Sequence, residues 1–192
     1  LCGVHGARAR VVECAGRLGA ARVRWRMLER ANIPEPTLPP GASRAPVFNA
    51  TRLRVRYCEC DPMNVAHHAA YAPWLEIGRT ELLRGAGMTY AAMEHAGVLL
   101  VIVKLGVTYR RPVRYDDVIE VRTRWVGGSR VKIEHEYEIV VVERDASLGG
   151  VPASPHDVAA VASTTLACVG RDGRPMALPE WLAGGGSSRT SE

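Results

Sequence analysis

Tyr57-Cys-Glu-Cys-Asp61-Pro-Met-Asn64-Val-Ala-His67-His68-Ala-Ala-Tyr71-Ala-Pro-Trp74-Leu-Glu76-Ile-Gly78-Arg79-Thr-Glu81-Leu-Leu-Arg84 decides the fold of this chain. A strand runs into a lone aspartate, a short polar turn follows, and two histidines open an apolar helix. Tyr71, Trp74, Leu75, Gly78 and Leu82 recur at helical spacing, and Leu83 broadens the apolar stripe. The spacing predicts a helix over 69–85, closed by Gly85 and Gly87. Pro73 fits a straight helix only in its first turn, which puts the start near 68–72. Gly78 in mid-helix costs about 1 kcal/mol against alanine, so close approach of another backbone is expected there. The N-terminal end of such a helix carries unpaired N–H groups and partial positive charge. A carboxylate beside it can activate water against a carbonyl whose oxygen the helix end polarises.

On the N-terminal side, residues 51–59 alternate as a strand, Leu53, Val55 and Tyr57 against Arg52, Arg54 and Arg56. Residues 1–50 read as an Arg/Pro-rich extension without its own fold: eight Arg face three Glu, a basic helix over 17–30 is conceivable on spacing, and five prolines follow between 34 and 46. The first Met is Met27, so translation is expected to start there or later. On the other side, Thr89–His95 reads as a short helix capped by Thr89. Four strands are then expected at 98–111, 118–126, 130–143 and 158–169, with a tight hairpin at Gly127-Gly128. Residues 145–157 form a loop, a short element spans 179–182, and 183–192 is a flexible tail.

One strand, one long helix, one short helix and four strands make an α+β domain over 51–182. An antiparallel five-stranded sheet must cover its apolar face, and wrapping around the single long helix does so. Five strands and one helix leave edges open, so a homodimer or homotetramer is expected.

Composition narrows the function. The net charge of +5 resides in the first fifty residues; the remainder balances, so no nucleic-acid footprint is expected. The five cysteines include no C-x-x-C pair, which supports neither a zinc site nor a disulfide framework, and a reducing cytoplasm is the expected location. No apolar run approaches the ~20 residues of a membrane span, so no membrane partner is expected.

The run Asp61-x-x-x-Val65-x-x-His68-x-x-Tyr71, continued by Trp74-Leu-Glu76-x-x-Arg79-Thr-Glu81-Leu-Leu-Arg84, resembles the hot-dog-fold acyl-CoA thioesterases. The similarity is to the 4-hydroxybenzoyl-CoA thioesterase type, including the short-chain enzymes associated with the Tol–Pal system. It continues through Val107-Thr-Tyr109-x-x-Pro112-Val-x-x-x-Asp117-x-Ile119, covers about residues 51–182, and departs at Pro62, Met63 and Asn64, where many members have glycines. The resemblance implies a sheet wrapped around a central helix, active sites between subunits, and hydrolysis of an acyl-CoA thioester. Asp61 matches the catalytic carboxylate, and His68 matches the residue whose backbone N–H polarises the thioester carbonyl. Ser129 and Arg130 match the position that holds coenzyme A phosphates, for which the guanidinium fork is suited. No metal and no cofactor is implied, coenzyme A being part of the substrate. A dehydratase or hydratase, or a non-catalytic acyl-CoA-binding protein, is the alternative.

Each candidate has a plainer reading. Asp61 before Pro62 is a common turn former. His68 can simply cap the helix, and His67 points to another face. Glu76, the reserve carboxylate, pairs with Arg79 on helical spacing. Arg130 can be an ordinary solvated charge. His135 lies in the apolar row of its strand, as a core histidine would, and Cys60 is a strand-end thiol.

Overall fold

The computed structural model describes residues 47–145 and 157–183. The expectations for the N-terminal extension before residue 47, for most of the 145–157 loop and for the tail beyond Ala183 lie outside these residues.

The polypeptide forms β1 (Phe48–Arg54), a single 3-10 turn at Tyr57–Glu59, α1 (His68–Gly85), α2 (Tyr90–His95), β2 (Leu99–Tyr109), β3 (Val118–Ser129), β4 (Lys132–Glu143), β5 (Val158–Val169) and α3 (Glu180–Ala183). All strand pairs are antiparallel and the order across the sheet is β1-β3-β4-β5-β2. This is the five-stranded hot-dog arrangement.

α1 begins where His67 caps it: the imidazole Nδ1 accepts from the Ala69 N–H at 3.2 Å. It ends where Gly87 takes a φ of 82° and the Met88 N–H turns back to the Leu83 carbonyl. At ~1.5 Å per residue its 18 residues span about 27 Å. Tyr71, Trp74 and Leu75 sink into a core with Val55, Val113, Ile119, Val121 and Ile139, while Leu82 and Leu83 join a second cluster with Met93, Trp125, Ile133 and Leu182. Gly78 sits between the two. A Cβ there would overlap the Thr123 hydroxyl and lie 2.9 Å from a Val121 methyl, so close packing onto β3 explains the glycine. The close neighbours are β3 side chains rather than another backbone.

Pro73 falls in the second turn of α1, not the first. It lies on the exposed side, where water can serve the Ala69 carbonyl that it leaves unbonded. The first strand starts earlier and stops sooner than alternation suggests, because the chain leaves the sheet after Arg54 and curls at 57–59. The Gly127-Gly128 pair is not the hairpin turn. Both glycines lie in β3, where the register against β4 shifts between Trp125 and Gly127, and the turn is Arg130-Val131. β2 does not neighbour β3; it crosses to the far edge and pairs with β5.

Candidate active site

The site is built where β1 hands over to α1. Buried Val55 donates to the Asp117 carbonyl, which fixes the chain leaving β1 against the start of β3. Asp117 is buried and meets Arg144 in a two-pronged ion pair at 2.6 and 2.8 Å, with the Arg114 N–H adding a third bond at 2.7 Å. A charge removed from water needs such pairing. The loop it braces presents the Val113 carbonyl, which accepts from the Ala66 N–H at 2.7 Å.

Asp61 stands in a loop closed on itself. Its N–H donates to the Val65 carbonyl, the Asn64 N–H donates to the Asp61 carbonyl, and Asn64 takes the left-handed φ of 61° that closes the turn. The Asp61 Oδ1 accepts from the Met63 N–H at 2.9 Å, while Oδ2 has no hydrogen-bond partner among the described residues. The turn-forming role and an available carboxylate oxygen therefore coexist in one side chain. Cys60 bridges Ala66 across the loop, so the carboxylate is delivered next to the start of α1.

The two histidines divide the work differently from the sequence expectation. His67 caps the helix and lines a pocket of about 520 Å³ with Asp61, Arg56, Glu59, Ala69 and Pro73. His68 is the first helical residue, exposed, with its ring 3.9 Å from that of His67. Its backbone N–H has no intrahelical partner, as expected for that position. Cys60 also lines the pocket; burial, with Glu59 and Asp61 nearby, pushes its thiol pKa up, which makes it a poor nucleophile.

Ser129 and Arg130 are not brought to this pocket within one chain. Both are exposed at the hairpin end of β3, and Asp61 lies by its opposite end, roughly 35–40 Å away at ~3.3 Å per strand residue. Ser129 Oγ accepts weakly from the Val131 N–H at 3.4 Å. Glu76 is exposed and pairs with Arg79 at 3.2 Å, away from the pocket lining. His135 is buried, with Nδ1 unpartnered, and burial together with the Arg79 charge pushes its pKa down to about 3. Among the described residues no group of His, Cys, Asp and Glu could hold a metal ion, and no helix is long and apolar enough to cross a membrane.

Sequence reasoning missed Glu59. It is a buried carboxylate, accepting from Trp74 Nε1 at 3.0 Å and from the Arg56 backbone and guanidinium at 2.7 Å each. Glu59 falls in the apolar row of the 51–59 alternation, after Leu53, Val55 and Tyr57, a signal of burial; only the indole fifteen residues later supplies its partner.

Residues 55–185 match the family model of the thioesterase-like superfamily. YneP of Bacillus subtilis (strain 168) is 39% identical over 74 residues, 38% of this chain and 53% of that protein. YbgC of Escherichia coli O157:H7, an acyl-CoA thioester hydrolase by name, is 37% identical over 71 residues, 37% of this chain and 53% of that protein. The chain thus spans about half the length of these two relatives. The crystal structure of the DHNA-CoA thioesterase from Staphylococcus aureus superposes with a TM-score of 0.60 at 29% identity, covering 68% of this chain and 80% of that one.

Proposed function

The chain belongs to the thioesterase-like superfamily, and from that premise we propose that it hydrolyses an acyl-CoA thioester to a free acid and coenzyme A. The observation that carries the reading is the Asp61 carboxylate, held by one oxygen and open at the other, lining a pocket with residues of the N-terminal end of α1. Asp61 takes a proton from water as the water oxygen attacks the thioester carbonyl. N–H groups of the helix start near His68 stabilise the charge on the carbonyl oxygen. The C–S bond breaks and Asp61 returns the proton to the coenzyme A thiolate. Direct attack by Asp61 through a mixed anhydride uses the same open oxygen; an acid unlabelled after a single turnover in ¹⁸O-water, with ¹⁸O on Asp61, marks the anhydride route with water attacking the Asp61 carbonyl carbon, and trapping of the acylated Asp61 detects the anhydride whichever carbon water attacks. Neither route needs a metal or a cofactor.

The assembly is a homodimer or a tetramer built from dimers. β2 is an edge strand with Val101, Ile102, Val103, Leu105 and Tyr109 all exposed, an apolar edge that a second copy would cover by strand pairing. In such an assembly Ser129 and Arg130 serve coenzyme A phosphates at a site shared between subunits. Unpaired Cys58, Cys60 and Cys168 suit the reducing cytoplasm. The test is release of free coenzyme A thiol across short, long and aromatic acyl-CoAs, beside a hydration assay on an enoyl-CoA. Thiol release without hydration is expected; hydration alone would make the protein a hydratase, and tight binding without turnover a carrier.

A further inference from the structure

We propose that Glu59 is a positioning residue that sets the separation between the Asp61 carboxylate and the N-terminal end of α1; this rests on the thioesterase reading above. The chain from Tyr57 to Ala66 is otherwise tied to itself, Asp61 to Val65 and Asn64 and Cys60 to Ala66, and to the loop before β3 through the Ala66–Val113 bond and the Tyr57–Tyr115 ring contact. None of these bonds fixes the turn to the body of the helix. Glu59 supplies that link from both ends of the residue. Its carbonyl accepts from the His67 N–H at 2.8 Å, holding the residue that caps α1. Its carboxylate accepts from Trp74 Nε1 at 3.0 Å, holding the second turn of α1. The other carboxylate oxygen accepts from the Arg56 N–H at 2.7 Å, and the Arg56 guanidinium meets Oε1, so the entry to the turn is tied to the same group.

The carboxylate is ionised where it sits. Burial alone would push its pKa up, but the hydrogen bonds from Arg56 and Trp74 outweigh it and hold the group below the usual glutamate range. A buried charge with three charge-assisted or indole bonds is also directional. It prefers one placement of the 57–59 turn against Trp74, and Asp61 follows two residues later. Trp74 is itself immobilised, almost fully buried against Tyr71 at a ring separation of 4.9 Å. Asp61 and the carbonyl-binding N–H groups are thus referred to a common rigid point. Loss of ~1 Å of registration between a catalytic group and its partner can cost about 10²-fold in rate.

Glu59→Gln keeps the size but sets an amide N–H₂ against the Arg56 donors or the indole N–H. Trp74→Phe removes the indole donor and keeps a ring. With the full chain, Glu59→Gln should lower kcat for acyl-CoA about 10–100-fold with KM little changed, since substrate binding away from the carbonyl is untouched. Trp74→Phe should lower kcat about 3–10-fold, and the double variant should match Glu59→Gln instead of multiplying the two losses. Amide hydrogen exchange over residues 60–69 should speed in both variants. Wild-type kcat in Glu59→Gln, or multiplicative losses in the double variant, overturns the proposal. If Glu59→Gln does not fold, Trp74→Phe decides alone: unchanged kcat overturns it, and a lower kcat at constant KM supports it. A wild-type protein that releases no thiol sinks the thioesterase reading instead, and the exchange data then judge the clamp: faster exchange in the variants supports it, wild-type exchange removes it.

Discussion

The two halves of α1 treat polar groups in opposite ways. At its N-terminal end Asp61, His67, His68, Ala69 and Pro73 remain reachable by water, and Asp61 keeps an open carboxylate oxygen. In its C-terminal half Arg79 is buried, as are Thr123 and His135 on the sheet it covers. Arg79 Nε and Nη1, Thr123 Oγ1, His135 Nδ1 and the Tyr90 hydroxyl lack partners within the described chain. Burial, with the Arg79 charge nearby, drives His135 to its neutral form, its pKa down to about 3, while Arg79 itself is ion-paired with Glu76. A neutral histidine without water access exchanges no proton at neutral pH. The dry half shapes and stabilises; the wet end retains the charge that a hydrolytic reaction needs. A histidine in an apolar row and an aspartate in a turn thus separate by solvation, not by residue type.

Among variants away from Asp61, the largest effect is expected at the middle of α1. Gly78→Val drives two methyls into Thr123 and Val121 and should cost about 2–3 kcal/mol of stability, read as a lower urea midpoint at unchanged slope. Its kcat, measured well below the transition, should stay near wild type. A stable Gly78→Val protein would mean that α1 sits farther from β3 than described, and a large loss of kcat alone would couple the dry half to catalysis.

A smaller effect belongs to His135. Its pKa is lower in the folded chain than in the unfolded one, so between about pH 6.5 and 3 the unfolded state binds the extra proton and stability falls as pH falls. At pH 5 the wild type should have lost about 2 kcal/mol through this residue, relative to neutral pH. Denaturation of wild type and His135→Gln at pH 7 and pH 5 isolates the difference, since the other groups titrate in both. Equal pH dependence in the two proteins would show that His135 takes up a proton in the fold, and the contrast between the halves of α1 would blur.

The smallest effect is expected at Arg130. Arg130→Ala should raise KM for acyl-CoA several-fold, about 1 kcal/mol, with kcat unchanged. The change should vanish for an acyl-pantetheine, which lacks the nucleotide. An equal change with both substrates would remove Arg130 from the nucleotide site.

The helix was legible because its apolar stripe carries the 3.6-residue period, and β5 because a turn-rich stretch precedes it and Arg171-Asp-Gly173 follows it. The order of the sheet was not: β2 leaves α2 with nothing local to say that it crosses to pair with β5. The Gly127-Gly128 pair misled because it has the composition of a turn, while the bulge it makes depends on pairing with Glu134 and Ile133 across the ladder. Asp61 stood out through the block around it. Whether His67 or His68 caps α1 hangs on a one-residue choice of helix start, which periodicity does not resolve. Glu59 lay in the apolar row of its stretch, but its partner Trp74 belongs to another element and so was not legible.

The central claim is that the working carboxylate belongs to the turn and not to the exposed face of the helix. The direct measurement is kcat of Asp61→Asn set beside kcat of Glu76→Gln at saturating acyl-CoA. The amide keeps the size of Asp61 and the bond from the Met63 N–H but loses the base, a loss typically worth about 10²–10⁴-fold. Asp61→Asn should therefore lose at least 10²-fold in kcat with KM little changed, and Glu76→Gln, which keeps an oxygen acceptor for buried Arg79 and lies away from the pocket lining, should stay near wild type. Near-wild-type turnover in Asp61→Asn with activity abolished in Glu76→Gln would contradict the account.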